Sequence, residues 1–66
     1  MKVTVNGEPR ELPEDASVAD AVASVTAART GVAAALNGEV VRRSAWETTA
    51  LRDDDRLEVL TAVQGG

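Results

Sequence analysis

Val32-Ala33-Ala34-Ala35-Leu36-Asn37-Gly38-Glu39-Val40-Val41 is the stretch on which the fold turns. Its alanines favour helix by intrinsic propensity. The Asn-Gly pair argues the other way. Both central positions of a type I′ hairpin turn need positive φ, which asparagine and glycine tolerate best. With Glu39-Val40-Val41 behind the turn, the spacing predicts two short antiparallel strands.

Working outward, the same signal recurs near the start. Lys2 to Asn6 alternates polar and apolar, with Val3 and Val5 on one face, and Asn6-Gly7 follows as a second hairpin turn. Pro9 to Leu12, flanked by Pro9 and Pro13, reads as a strand at a sheet edge, because proline has no N–H for a ladder. Between the hairpins the period changes. Val18, Ala21, Val22 and Val25 form one helical stripe. Ser17 and Asp20 have the spacing of a capping box, Glu14 and Asp15 add favourable charge, and the helix is expected to fade near Ala28 before Gly31. Downstream, Ser44 to Leu51 reads as irregular with one short helical turn. Arg52 to Arg56 reads as a charged turn, and Leu57 to Val63 as the last strand. The expectation is one α+β domain over residues 1–66: a sheet of four to five strands with one helix. A single helix covers one sheet face and leaves the other open.

Composition narrows the function. The 66 residues carry a net charge of −4, no histidine and no cysteine. A nucleic-acid binder wants a basic face, which this balance argues against. No cysteine means neither a disulfide nor a cysteine metal site. A tuned acid, base and nucleophile are hard to assemble from this inventory, so the chain is expected to be handled by enzymes rather than to be one. Met1 to Val5 is too short for a secretory apolar region, and no apolar run reaches the ~18 residues of a membrane span. A cytoplasmic location is the expectation.

The chain ends Val63-Gln64-Gly65-Gly66. A terminal glycine carboxylate on a slender tail (residues 64–66, expected to be flexible) is a chemical handle that another protein's active site can take up. Two glycines enter narrow channels and adopt φ/ψ values closed to other residues. The bland alternative is a frayed end or a cloning remnant.

The order of elements with this ending resembles the β-grasp, ubiquitin-like fold. Within it the chain resembles the thiamine-biosynthesis sulfur carriers, the ThiS family. The likeness rests on Met1-Lys2-Val3-Thr4-Val5-Asn6-Gly7-Glu8, on Val32-Ala33 leading to Leu36-Asn37-Gly38-Glu39-Val40-Val41, on Arg43-Ser44-Ala45-Trp46 with Thr49 and Leu51, and on Leu57-Glu58-Val59 with Val63-Gln64-Gly65-Gly66. Two positions depart from the family pattern. Arg42 stands where a proline is frequent, and Asp54-Asp55 where Gly-Asp is frequent.

The resemblance implies that Gly66 is the reactive residue. A ThiF-like adenylyltransferase would couple its carboxylate to AMP with ATP and magnesium. A sulfur donor such as a cysteine desulfurase system would then convert it to a thiocarboxylate, and a ThiG-like thiazole synthase would take the sulfur. Val63, Gln64 and Gly65 would lie in the partner's active site. No cofactor on the chain itself is implied.

Other residues carry competing readings. In the last strand Leu60 and Ala62 lie opposite Val59 and Val63, either as a partner surface on the open face or, for Leu60, as a minor core under Ser44–Leu51. Trp46 reads as a plug over the core or as a contact residue. Asp53-Asp54-Asp55 lacks the spacing of a calcium loop and reads as a solvated turn. The rival functions are the small subunit of molybdopterin synthase, a protein modifier joined through Gly66, and an interaction module whose tail is idle.

Overall fold

The structure is a computed structural model, and it describes residues 1–28 and 30–62. Five strands and one α-helix follow in the order β1 (Lys2–Val5), β2 (Glu8–Glu11), α1 (Val18–Val25), β3 (Val32–Leu36), β4 (Glu39–Val41) and β5 (Arg56–Thr61), with a 3₁₀ turn at Arg43–Ala45. They form one mixed sheet in the spatial order β2-β1-β5-β3-β4. The last strand in sequence is the central strand in space. It pairs parallel with β1 and antiparallel with β3.

Both Asn-Gly pairs make the expected turns. Asn6 and Gly7 have φ of 51° and 82°, and Asn37 and Gly38 have 50° and 87°. The alanine-rich stretch is a strand, so the turn and the pairing override propensity. β2, with Pro9, lies at the edge. Asp54 takes φ of 71°, the left-handed conformation that glycine would take more cheaply.

The helix is shorter than expected. It ends at Val25 rather than near Ala28, because Thr26 is extended at φ −151° and its Oγ1 accepts from the Ala28 N–H at 3.1 Å. A local side-chain bond thus competes with the next helical turn. The start is as the sequence indicates: Ser17 Oγ accepts from Asp20 N–H, and the Asp20 carboxylate accepts from Ser17 N–H at 2.8 Å. β5 is also shorter than expected, running from Arg56 and stopping at Thr61.

The irregular segment after β4 has a definite task. Carbonyls of Trp46 and Thr49 accept from the N–H groups of Ala19 and Val18, at 3.1 and 3.0 Å. These are helix-start donors that have no partner within the helix itself. The segment therefore docks beside α1 and extends the core with Trp46 and Leu51. Trp46 is buried, its Nε1–H donates to Val41 O at 2.8 Å, and the Arg43 guanidinium lies 5.3 Å from its ring centre. This is the plug, with a polar handle satisfied and a cation over its exposed face.

The core is Val3, Val5, Ala16, Val18, Ala21, Val22, Ala34, Trp46, Leu51, Leu57 and Val59. It lies between the sheet and the layer formed by α1 and the segment from Trp46 to Leu51. The aspartate turn stitches β1 to β5. Asp53 Oδ1 accepts from Lys2 N–H, Asp54 N–H donates to Lys2 O, and Asp55 accepts from Arg52 N–H, each at 2.7 Å. At the chain start, the Met1 ammonium donates to Leu12 O at 2.8 Å and lies 3.0 Å from Glu14. The Glu14 hydrogen bond holds its pKa above the ordinary value.

Candidate docking face and the strand that leads to the terminal glycines

Alternation along each strand sorts the side chains. Toward α1 point Val3, Val5, Leu57, Val59 and Ala34, all buried. Toward the open side point Thr4, Ala33, Ala35, Val40, Arg56, Glu58 and Leu60. Cross-strand partners share a face, so the register fixes who neighbours whom. Ala33 is opposite Leu60, and Ala35 is flanked by Val40 on one side and Glu58 on the other.

The result is an apolar patch with a defined shape. Val40 is 82% exposed and Leu60 is 69% exposed, the two large apolar side chains most open to solvent among the described residues. Between them β3 contributes only the methyls of Ala33 and Ala35. Alanine at these positions keeps the middle of the face shallow, which suits a broad contact surface. The helix-facing position, Ala34, is buried. The three alanines therefore serve two sides of the sheet. Arg56 and Glu58 give the patch a charged rim.

Leu60 is on the open face, and its exposure removes the minor-core reading. Ala62 is exposed as well. Val63, Gln64, Gly65 and Gly66, expected to hold the reactive carboxylate and enter a partner's active site, lie outside the described residues. Val40 was not singled out from the sequence. Its signal was available, because with Val41 turned inward to the core, a two-residue turn obliges Val40 to point outward.

The last described residues are fixed firmly. Ala62 N–H donates to Gly31 O at 2.6 Å. Gly31 has φ of 69°, and a Cβ there would stand 3.1 Å from Ala62 Cβ. Only glycine meets both demands, so Gly31 sets where the chain passes residue 62. Gly66 is four positions beyond Ala62, a distance that an extended chain covers in at most about 14 Å.

Two concavities exist beside this face and on the opposite layer. One, of about 350 Å³, lies around the start of β5 and is lined by Thr4, Asn37 and Arg56. The other, about 520 Å³, runs between the second half of α1 and Arg43, Trp46 and Glu47. Among the described residues no helix is long and apolar enough to cross a membrane.

A mixed five-stranded sheet wrapped on one helix, with an open apolar face beside the strand that leads to two terminal glycines, defines a β-grasp domain of the ubiquitin-like carrier type. The ThiS family model matches residues 3–66, and the chain belongs to the ThiS family. It is similar to the crystal structure of the thiamine biosynthesis protein ThiS from Geobacter metallireducens, with 35% identity, a TM-score of 0.78 and 100% of both chains covered. It is also similar to the solution structure of a thiamine biosynthesis protein from Geobacter metallireducens. There the identity is 35% and the TM-score 0.81, over 100% of this chain and 88% of that one. No curated protein matches the sequence significantly. Membership supports a role as a small sulfur carrier that works with the enzymes of thiamine biosynthesis.

Proposed function

We propose that this chain carries sulfur as a thiocarboxylate on Gly66. A carboxylate is a poor electrophile, because its oxygen does not leave. A ThiF-like adenylyltransferase, using ATP and magnesium, joins the Gly66 carboxylate to AMP with loss of pyrophosphate. The outer sulfur of a persulfide on a sulfur donor, derived ultimately from cysteine, displaces AMP to give an acyl disulfide. A second thiol of the donor then attacks the donor's own sulfur, forming a disulfide there and releasing the thiocarboxylate, which delivers sulfur to a ThiG-like thiazole synthase. The chain itself holds no cofactor. It supplies the reacting group and the surface by which enzymes position that group. Such a protein works in the cytoplasm with its partners.

The observation that carries this reading is the join between face and tail: Leu60 on β5 and Ala62 just past its end lie immediately before Val63-Gln64-Gly65-Gly66 in the chain. An enzyme that covers Val40 and Leu60 thereby receives the carboxylate within reach. Incubation with the adenylyltransferase, ATP and a sulfur source is expected to raise the intact mass by the exchange of one oxygen for sulfur. An unchanged mass with an enzyme shown to be competent on another carrier would sink the proposal.

The docking half has its own test. Leu60→Glu places a charge in the apolar patch but leaves the core untouched, since Leu60 is 69% exposed. Fold and melting temperature should stay as they are, and the carrier concentration for half-maximal adenylation should rise at least about tenfold, the equivalent of ~1.4 kcal/mol. A variant that is charged as readily as the parent would clear the open face of this role.

A further inference from the structure

β5 leaves the sheet paired on one edge only. Its even-numbered residues turn their backbone groups toward β3: Arg56 O accepts from Asn37 N–H at 2.7 Å, and Ala62 N–H donates to Gly31 O at 2.6 Å. Its odd-numbered residues turn theirs toward β1, where Leu57 O accepts from Asn6 N–H at 2.9 Å. β1 stops at Val5, so Val59 meets no strand on that edge. The Asn6 side chain takes the strand's place. Its Oδ1 accepts from Val59 N–H at 2.8 Å, and its Nδ2 donates to Val59 O at 3.2 Å. A carboxamide offers the same donor and acceptor as a peptide group. The next residue of this parity is Thr61. It is exposed, and among the described residues its N–H and C=O have no partner.

We propose that the β5 edge at Thr61 is a strand-addition site: an extended segment of the enzyme that activates the terminal carboxylate pairs its main chain with Thr61, continuing the line that Asn6 begins. This rests on the carrier reading above and names how the tail is gripped. The enzyme is the fitting occupant because the edge lies directly before the residues it must take in. Main-chain pairing holds an extended chain without asking for bulky side chains near the glycines. An added segment would also set alternate side chains beside Leu60, extending the apolar contact. The other sheet edges are blunted. β2 carries Pro9 and the Arg10–Glu8 ion pair, and β4 is only three residues long. A second copy is a poorer occupant, since two domains of net charge −4 would meet for a single pair of bonds.

Amide hydrogen exchange on the full chain, alone and saturated with the ThiF-like enzyme, tests this directly. In the free protein the Val59 amide should be protected and the Thr61 amide fast. In the complex the Thr61 amide should slow by at least about tenfold. A Thr61 amide that stays fast in a complex that charges the carrier would overturn the edge proposal while leaving the carrier reading intact. Slowing that depends on carrier concentration without enzyme would assign the edge to a second copy and overturn it too. Thr61→Pro and Thr61→Val give a second readout. Proline removes the outward N–H and spares the bonds to β3, which belong to the even residues. T61P should need at least about tenfold more carrier than T61V for half-maximal charging, and equal requirements would refute the proposal. If T61P does not fold, the exchange measurement on the parent chain decides. If the parent chain is not charged at all, the carrier reading fails first.

Discussion

One residue added after Gly66 is expected to abolish charging of the chain while leaving its fold and unfolding midpoint unchanged. The reason is metric. A single extended residue moves the terminal carboxylate by up to about 3.3–3.6 Å. A misplacement of ~1 Å at a reacting group costs on the order of 10²-fold in rate, so the added residue should cost at least that much. The folded body loses nothing, because among the described residues the buried core lies at or before Val59. Intact mass after incubation with the adenylyltransferase reads the first effect, and thermal unfolding reads the second. A plain docking module would be indifferent to the extension, so an extended chain that still supports thiamine synthesis in the cell would move this chain out of the carrier class.

Leu57→Ala is expected to have the largest effect on stability. Leu57 is 1% exposed and sits on the central strand, beside Val5 on β1 and Leu36 on β3. Removing a buried leucine side chain costs about 2–5 kcal/mol, through lost burial and the cavity left behind. A chain of 66 residues has a total of roughly 3–10 kcal/mol to lose. The variant should therefore be largely unfolded at moderate urea, or unfolded outright. Leu60→Ala, three positions on and on the other face, should shift stability by no more than about 0.5 kcal/mol. Trp46 is the only tryptophan and is buried, so its fluorescence reports both transitions. A lower urea midpoint for Leu60→Ala than for Leu57→Ala would mean that the two faces of β5 have been assigned the wrong way round.

How much of this could be read along the chain depends on the range of the interaction. Two Asn-Gly turns, a capping box and a valine-alanine stripe are local devices, and each appears where the residues place it. The end of the helix was misjudged because a threonine hydroxyl, bonded two residues ahead, outcompeted further helical turns. The alanine stretch became a strand only because Leu57 to Thr61 lies beside it to complete the ladder. The task of Ser44 to Leu51, supplying carbonyls to the start of a helix far back in sequence, left no local mark at all.

The candidate site divides the same way. Its proposed reactive end, Gly66, is named from the sequence and the family resemblance and lies outside the described residues. The docking patch was half legible: parity along β5 put Leu60 and Ala62 opposite the core, but Val40, Ala33 and Ala35 joined them only through cross-strand register. Asn6 is plainer still as a case. In the sequence it is a turn residue. In the fold its side chain is also a substitute peptide, 53 positions away from the strand it clips.

The sequence by itself determined the elements, the turns that join them and the chemical character of the last two residues, because these depend on neighbours within a few positions. Tertiary structure alone decided that the final strand lies in the middle of the sheet, that its open face is apolar, and that its edge has no partner at Thr61 among the described residues. Those properties arise between residues distant in the chain, where hydrogen-bond parity and register, rather than propensity, set what each strand presents.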